Sequence, residues 1–245
     1  MNRNILIAIA MTWATAANAQ TTIPLYEGIA PGSEKWDWQE KASTSPNGHP
    51  VASDVVHPVL LHYPAETRGG AAMIIAPGGG FKVLMMSYEG VEIARRLNAM
   101  GVDAYLLKYR LTHDSPNAPP RDRVIQLAGE DGRQAVRLVR GKGHRKVGMI
   151  GFSAGGRVTS DALFGAAETR PDFAALIYGA GETKEIPAPA PPLFLAVSAD
   201  DAGSVGRTVD LFTAYRSKGP AELHVFQMGA HGFVNKGGGA DHFMD

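Results

Sequence analysis

Val147-Gly148-Met149-Ile150-Gly151-Phe152-Ser153-Ala154-Gly155 is the stretch whose reading decides the fold. Strand-like apolar residues run into a Gly-x-Ser-x-Gly pentad, and a helical pattern follows from Ala154 to Phe164. A serine on so sharp a strand-to-helix turn is held in a strained backbone conformation, and only small residues two positions either side leave room for it. The turn lifts the hydroxyl clear of the sheet. It also aims the Ala154 amide, at a helix N-terminus, toward the same point. Ser153 is therefore the candidate nucleophile.

On either side, short apolar runs alternate with helical periodicity. Pro58 to Tyr63, Ala71 to Ala76, Val102 to Tyr109, Lys146 to Gly151, Phe173 to Tyr178, Leu193 to Val197 and Ala221 to Phe226 read as strands. Glu89 to Met100, Arg123 to Arg140 and Val205 to Ser217 read as further helices, although Gly129 and Gly132 are poor helix formers in the middle of the second. This order predicts an α/β architecture, a mostly parallel sheet with helices on both faces. Thr21 to Asp54 is polar with scattered Gly and Pro and reads as extended chain with little regular structure. A chain of 245 residues, 44% apolar and 20% charged, fits one globular domain over residues 20–245.

The remaining chemistry lies in the loops after the predicted strands. Pro77-Gly78-Gly79-Gly80-Phe81 follows the strand ending at Ala76. Successive glycines free backbone amides to point into a cavity, as the oxyanion of an acyl-transfer intermediate requires. Gly79 and Gly80, with Ala154, are the expected donors; a frame one residue earlier brings in Gly78. No Lys-Ser or Lys-Thr follows, so a Walker-type phosphate loop fails. In the order Ser, acid, His, the acids at a strand end are Asp200 and Asp201, and the base is His231 in Gly229-Ala230-His231-Gly232-Phe233. Asp201 is preferred because it lies one turn beyond Ser198, and one of the two aspartates is expected to cap the helix near Val205. His242 is a distant second choice of base. Arg110 and Asp131 could pair in the interior. Glu89 suits a helix start, and Trp36 and Trp38 could stack on sugar rings or pack a loop.

Composition removes whole classes of function. Formal net charge is zero, which offers nothing to nucleic acid or an anionic membrane. With no cysteine, a Cys nucleophile, a zinc–thiolate site and an iron–sulfur cluster are excluded. No metal or organic cofactor is implied. Arg3, the apolar run Ile5 to Trp13 and Ala17-Asn18-Ala19 read as a signal peptide over residues 1–19, with the mature chain starting near Gln20 and an expected secreted or periplasmic location. No other segment is long and apolar enough to span a bilayer.

Together these motifs resemble the bacterial α/β-hydrolase esterases of the acetylxylan esterase-like, xylanase-associated kind, near the hormone-sensitive lipase-like group. The resemblance also rests on Ile23-Pro24-Leu25-Tyr26, Ala30-Pro31-Gly32, Glu89-Gly90, Leu107 to Leu111, and Asp131 with Arg133 to Arg137, and it runs from about residue 23 to 233. It implies hydrolysis of small acyl esters, often acetyl groups on cell-wall sugars, with a small-molecule or carbohydrate ester as partner. Pro77 stands where the lipase motif begins with His, and Arg157 where relatives usually have His. Family members also continue past the histidine into a helix that covers the sheet. Asn235 to Asp245 is Gly-rich instead, so the closing helix is expected to be missing or truncated, with an apolar strand face uncovered. The rivals are a serine peptidase of prolyl-oligopeptidase type, which uses the same triad order, and a non-catalytic binding protein on the same scaffold.

Overall fold

The structure is a computed structural model and describes residues 20–67, 69–236 and 240–244. The expected signal peptide, residues 1–19, lies outside the described residues. In chain order the strands are β1 (Thr21–Pro24), β2 (Lys41–Thr44), β3 (Pro50–Ser53), β4 (Val59–Tyr63), β5 (Ala71–Ala76), β6 (Val83–Met85), β7 (Asp103–Lys108), β8 (Lys146–Phe152), β9 (Phe173–Ile177), β10 (Leu193–Ser198) and β11 (Ala221–Phe226). The α-helices are α1 (Glu92–Ala99), α2 (Arg121–Arg140), α3 (Ala154–Leu163) and α4 (Val205–Tyr215).

Eight strands form one sheet in the order β1-β4-β7-β5-β8-β9-β10-β11. β4 pairs antiparallel with both β1 and β7, and every pairing from β7 to β11 is parallel. Parallel strands covered on both faces read as continuous apolar runs, and β7 and β8 are buried along nearly their whole lengths. The chain passes from β5 to β7 on one side, then returns to β8 on the other. The carboxyl ends of β5 and β8 are therefore neighbours, with Ala76 level with Gly151. Such a reversal opens a crevice between the loops that leave the two strands.

Helices α2, α3 and α4 cover one face of this sheet, and α1 covers the other. The glycines inside α2 have a packing reason. A Cβ at Gly132 would meet the Val158 methyl at 2.7 Å, and one at Gly129 would strike the Asp161 carboxylate. Their absence lets α2 and α3 lie close together. Beneath them Arg110 and Asp131 form a fully buried ion pair, with Nη2 to Oδ1 at 2.7 Å. Burial pushes the Asp131 carboxyl up, and the guanidinium pulls against it. The Tyr26 hydroxyl adds a third partner at 3.1 Å.

Two expectations are corrected. The segment from Thr21 to Asp54 is not without regular structure: β1 extends the main sheet, and β2, β3 and β6 form a separate antiparallel sheet. These strands are only three or four residues long, and β2 is exposed along its length, so they leave no alternating pattern to read. Nor is the α1 face simply left bare after β11. No α-helix follows β11 among the described residues, but two short turns do, Phe233–Asn235 and Ala240–His242. Phe233 is buried edge-on to Phe226 at 5.5 Å, and Phe243 meets Phe152 at 6.2 Å. Aromatic side chains thus cover the inner part of that face. Its outer edge is polar, with exposed Glu222 and His224 paired at 2.6 Å. Among the described residues no helix is long and apolar enough to cross a membrane.

Candidate active site

Ser153 sits between β8 and α3 at φ 50°, ψ −116°, a left-handed conformation that costs roughly 1–3 kcal/mol in a residue with a side chain. The flanking glycines permit it. A Cβ at Gly155 would overlap the Ala76 carbonyl, and one at Gly151 would overlap the Gly155 backbone. The described residues include five non-glycine positions with positive φ. Phe81, Ser153 and Tyr178 border one cavity, and Ala230 directly precedes His231. Strain concentrated at one place marks a site that the surrounding structure has to hold.

The Ser153 hydroxyl lies 2.8 Å from Nε2 of His231, and Nδ1 of the same ring lies 2.7 Å from Oδ2 of Asp201. A carboxylate only accepts, so Nδ1 carries the proton and Nε2 is left to accept from the serine. Asp201 is buried, whereas the imidazole is about half exposed. The structure thus brings Ser153, His231 and Asp201 into one hydrogen-bonded line.

Asp200 has separate work. It accepts from the Ala230 amide at 2.8 Å, the Gly229 amide at 3.3 Å and the Ser198 hydroxyl, so it ties the histidine loop to the end of β10. Those donors, Ser198 foremost, hold its carboxyl below the usual range. Neither aspartate side chain caps α4, contrary to the sequence expectation. The cap residue is Ser204, and it is the Asp201 carbonyl that receives the Ser204 and Val205 amides. The Ser204 hydroxyl stands 3.3 Å from both the Tyr178 carbonyl and Nδ1 of His231.

The glycine loop after β5 faces this line. Gly80 and Ala154 border the same cavity as Ser153 and His231, a space of about 210 Å³. Gly79 stands next to them at φ 131°, with its carbonyl accepting the Lys82 and Val83 amides. Gly78 is already engaged: its amide donates to Oε2 of Glu89 at 2.7 Å.

The architecture can now be compared with known proteins. A structure from a Medee basin deep-sea metagenome, described as an alpha/beta hydrolase enzyme, superposes with a TM-score of 0.57 at 22% identity over 81% of this chain and 86% of its own. The chain has the α/β-hydrolase fold. An acetyl ester-xyloside bifunctional hydrolase from Caldicellulosiruptor lactoaceticus aligns with a TM-score of 0.60 at 22% identity, over 87% of this chain and 88% of its own. A thermophilic esterase from Thermogutta terrifontis reaches 0.60 at 18% identity, over 84% and 86%. In sequence, an acetylxylan esterase from Xylanibacter ruminicola is 33% identical over 120 residues, 46% of this chain. That match spans 23% of the relative's own length. No family model matches the chain. These similarities agree with the resemblance to acetylxylan esterase-like α/β-hydrolases read in the motifs.

Part of this site was not legible in the sequence. Glu89 was expected to favour a helix dipole, but a π-helical turn over Ser87–Val91 carries it inward, where it is buried. It receives both the Gly78 amide and the Tyr178 hydroxyl, the latter at 2.8 Å. Burial pushes its carboxyl up, and these two donors pull it back. Tyr109 fixes the glycine loop from another side, donating to the Pro77 carbonyl at 2.6 Å. Trp36 and Trp38 stack on each other at 4.8 Å, and Trp38 stacks on His113 at 4.4 Å, so the tryptophan faces pack a loop. The adjacency of Glu89 and Gly90 in the motif series was the one signal of the Glu89 site, and its meaning needed the fold.

Proposed function

We propose that this chain is a serine esterase that hydrolyses short acyl esters, with acetyl groups on carbohydrate hydroxyls as the leading substrates. The single observation that carries the reading is the unbroken line from Ser153 through His231 to Asp201 beside Gly80 and Ala154. His231 takes the proton as Ser153 Oγ attacks the ester carbonyl. Amides of Gly79, Gly80 and Ala154 receive the oxyanion, each such donor being worth roughly 3–4 kcal/mol in the transition state. The alcohol leaves with the proton from His231. Water, deprotonated by the same ring, then releases the acid and regenerates Ser153. The small cavity and the acetylxylan esterase relative favour a short acyl group. The motif over residues 1–19 supports export, so the proposed place of action is outside the cytoplasm.

The test is a chain-length series of 4-nitrophenyl esters, alongside acetate release from acetylated xylo-oligosaccharides. The expected result is highest kcat/KM for acetyl, falling toward octanoyl, with acetate released from the sugar. Equal rates along the series, or no acetate, would remove the short-acyl assignment.

Glu89 enters as a positioning residue. Glutamine at that position has one acceptor oxygen where glutamate has two, so the Gly78 amide and the Tyr178 hydroxyl can no longer both donate to separate oxygens of this side chain. The Glu89→Gln enzyme is expected to keep its fold by near-ultraviolet circular dichroism. Its kcat should fall about 10- to 100-fold with little change in KM, the size of effect that a small misplacement of catalytic groups produces. An unchanged kcat would leave Glu89 a structural role only.

A further inference from the structure

Three arginines surround the cavity at Ser153: Arg121, Arg157 and Arg207. They lie in the first turns of α2, α3 and α4 respectively. A cation in the first turn of a helix opposes the helix dipole, which favours a negative charge there. Helix stability therefore does not account for these side chains, and three helices repeat the pattern around one opening. Local pairing does not account for them either. Among the described residues no carboxylate forms a salt bridge with Arg121, Arg157 or Arg207, and all three are exposed. Arg121 donates to the Gly80 carbonyl at 3.2 Å and lies over the Phe81 ring at 5.7 Å, so its guanidinium is held at the rim. No aspartate or glutamate is among the residues that line the cavity. The whole chain carries no net charge, so three arginines at one mouth are a local concentration of cations.

We propose that the site takes esters that carry a second, anionic group, a carboxylate in the first instance, which Arg121, Arg157 and Arg207 receive while Ser153 attacks the ester carbonyl. This rests on the esterase reading. Guanidinium groups match the planar carboxylate with paired donors, and three of them around a mouth attract an anion before it docks. The carboxylate sits on either the alcohol or the acyl side of the scissile bond, and two pairs of substrates separate these. Acetylated galacturonic acid beside acetylated galactose places the charge in the alcohol. 4-Nitrophenyl hydrogen glutarate beside 4-nitrophenyl pentanoate places it in the acyl group, with spontaneous hydrolysis subtracted.

The readout is the ratio of kcat/KM for the charged ester to that for its neutral partner. In one of the two pairs this ratio is expected to be about tenfold or more at low salt, and to shrink severalfold as screening rises to about 0.5 M salt. The double variant Arg157→Gln with Arg207→Gln should lower that ratio about tenfold. Lys142→Gln, an exposed change in the turn before β8 and so at the opposite end of that strand from Ser153, should not move it. Ratios near one in both pairs, or a ratio the double variant leaves unchanged, overturn the proposal while neutral turnover keeps the esterase reading. Failure to hydrolyse any of the four esters, with 4-nitrophenyl acetate also left intact, removes the esterase reading itself.

Discussion

Ser153→Ala is expected to lower kcat on 4-nitrophenyl acetate by about 10⁴- to 10⁶-fold, with little effect on folding. Ser153 is the one side chain in the proposed mechanism that bonds to the acyl carbon, so without it no acyl-enzyme forms. His231→Ala should fall in the same range, because an unassisted serine hydroxyl is too weakly acidic to attack. The two losses should not add. A Ser153→Ala with His231→Ala enzyme is expected to be about as slow as either alone, since the residues act as one unit. The residual rate would come from the oxyanion donors and from binding. The alanine also relieves none of the backbone strain, because it still holds φ 50° at that turn, and its thermal midpoint should stay within a few degrees of the parent. Steady-state kinetics with a thermal melt of each variant checks all of this. A Ser153→Ala enzyme that keeps a tenth of the parental kcat would sink the assignment.

Asp201→Asn is expected to cost about 10³- to 10⁴-fold in kcat, and Asp200→Asn less than about tenfold. The first removes the acceptor that fixes Nδ1–H and so turns the ring toward the wrong tautomer. The neighbouring Ser204 hydroxyl, 3.3 Å from Nδ1, accepts that proton in part, which sets the lower end of the range. The Asp200 carboxylate bonds to Ser198, Gly229 and Ala230, and the one that meets the imidazole is Asp201. Its asparagine keeps one oxygen for Ala230 and Ser198 and gives up the longer bond from Gly229. The loop loosens, but the line of three is intact. Measuring kcat for both variants over the same pH range separates the two aspartates. Equal losses, or the larger loss at Asp200, would reverse their assignment.

Much of the fold was legible because of where its strands lie. From β4 to β11 of the main sheet, the predicted runs match the observed elements to within one to three residues. Strands buried on both faces have to be continuously apolar, and the helices between them carry a clear apolar stripe. β1 to β3 and β6 failed for the opposite reason. Lys41-Ala42-Ser43-Thr44 is exposed throughout, and β6 reaches β3 across thirty residues, so only the tertiary structure reveals that pairing. The site divides in the same way. Ser153, His231 and the glycine loop announce themselves by local backbone demands. The preference for Asp201 over Asp200 rested on its distance past β10 and on Val205 beyond it, and Asp201 is the one hydrogen-bonded to His231. Glu89 could not be placed, because its role depends on a π-helical turn that draws it under Gly78 and Tyr178. The absence of a carboxylate from the arginine-lined mouth is also a fact about three helices meeting in space.

The most direct test of the central claim is peptide mapping by mass spectrometry after treatment with a fluorophosphonate, which phosphonylates only an activated serine. The expected result is one adduct per chain, on Ser153, that is lost in Ser153→Ala and strongly slowed in Asp201→Asn. Ester hydrolysis that persists with Ser153 unlabelled, or an adduct on another residue, would contradict it.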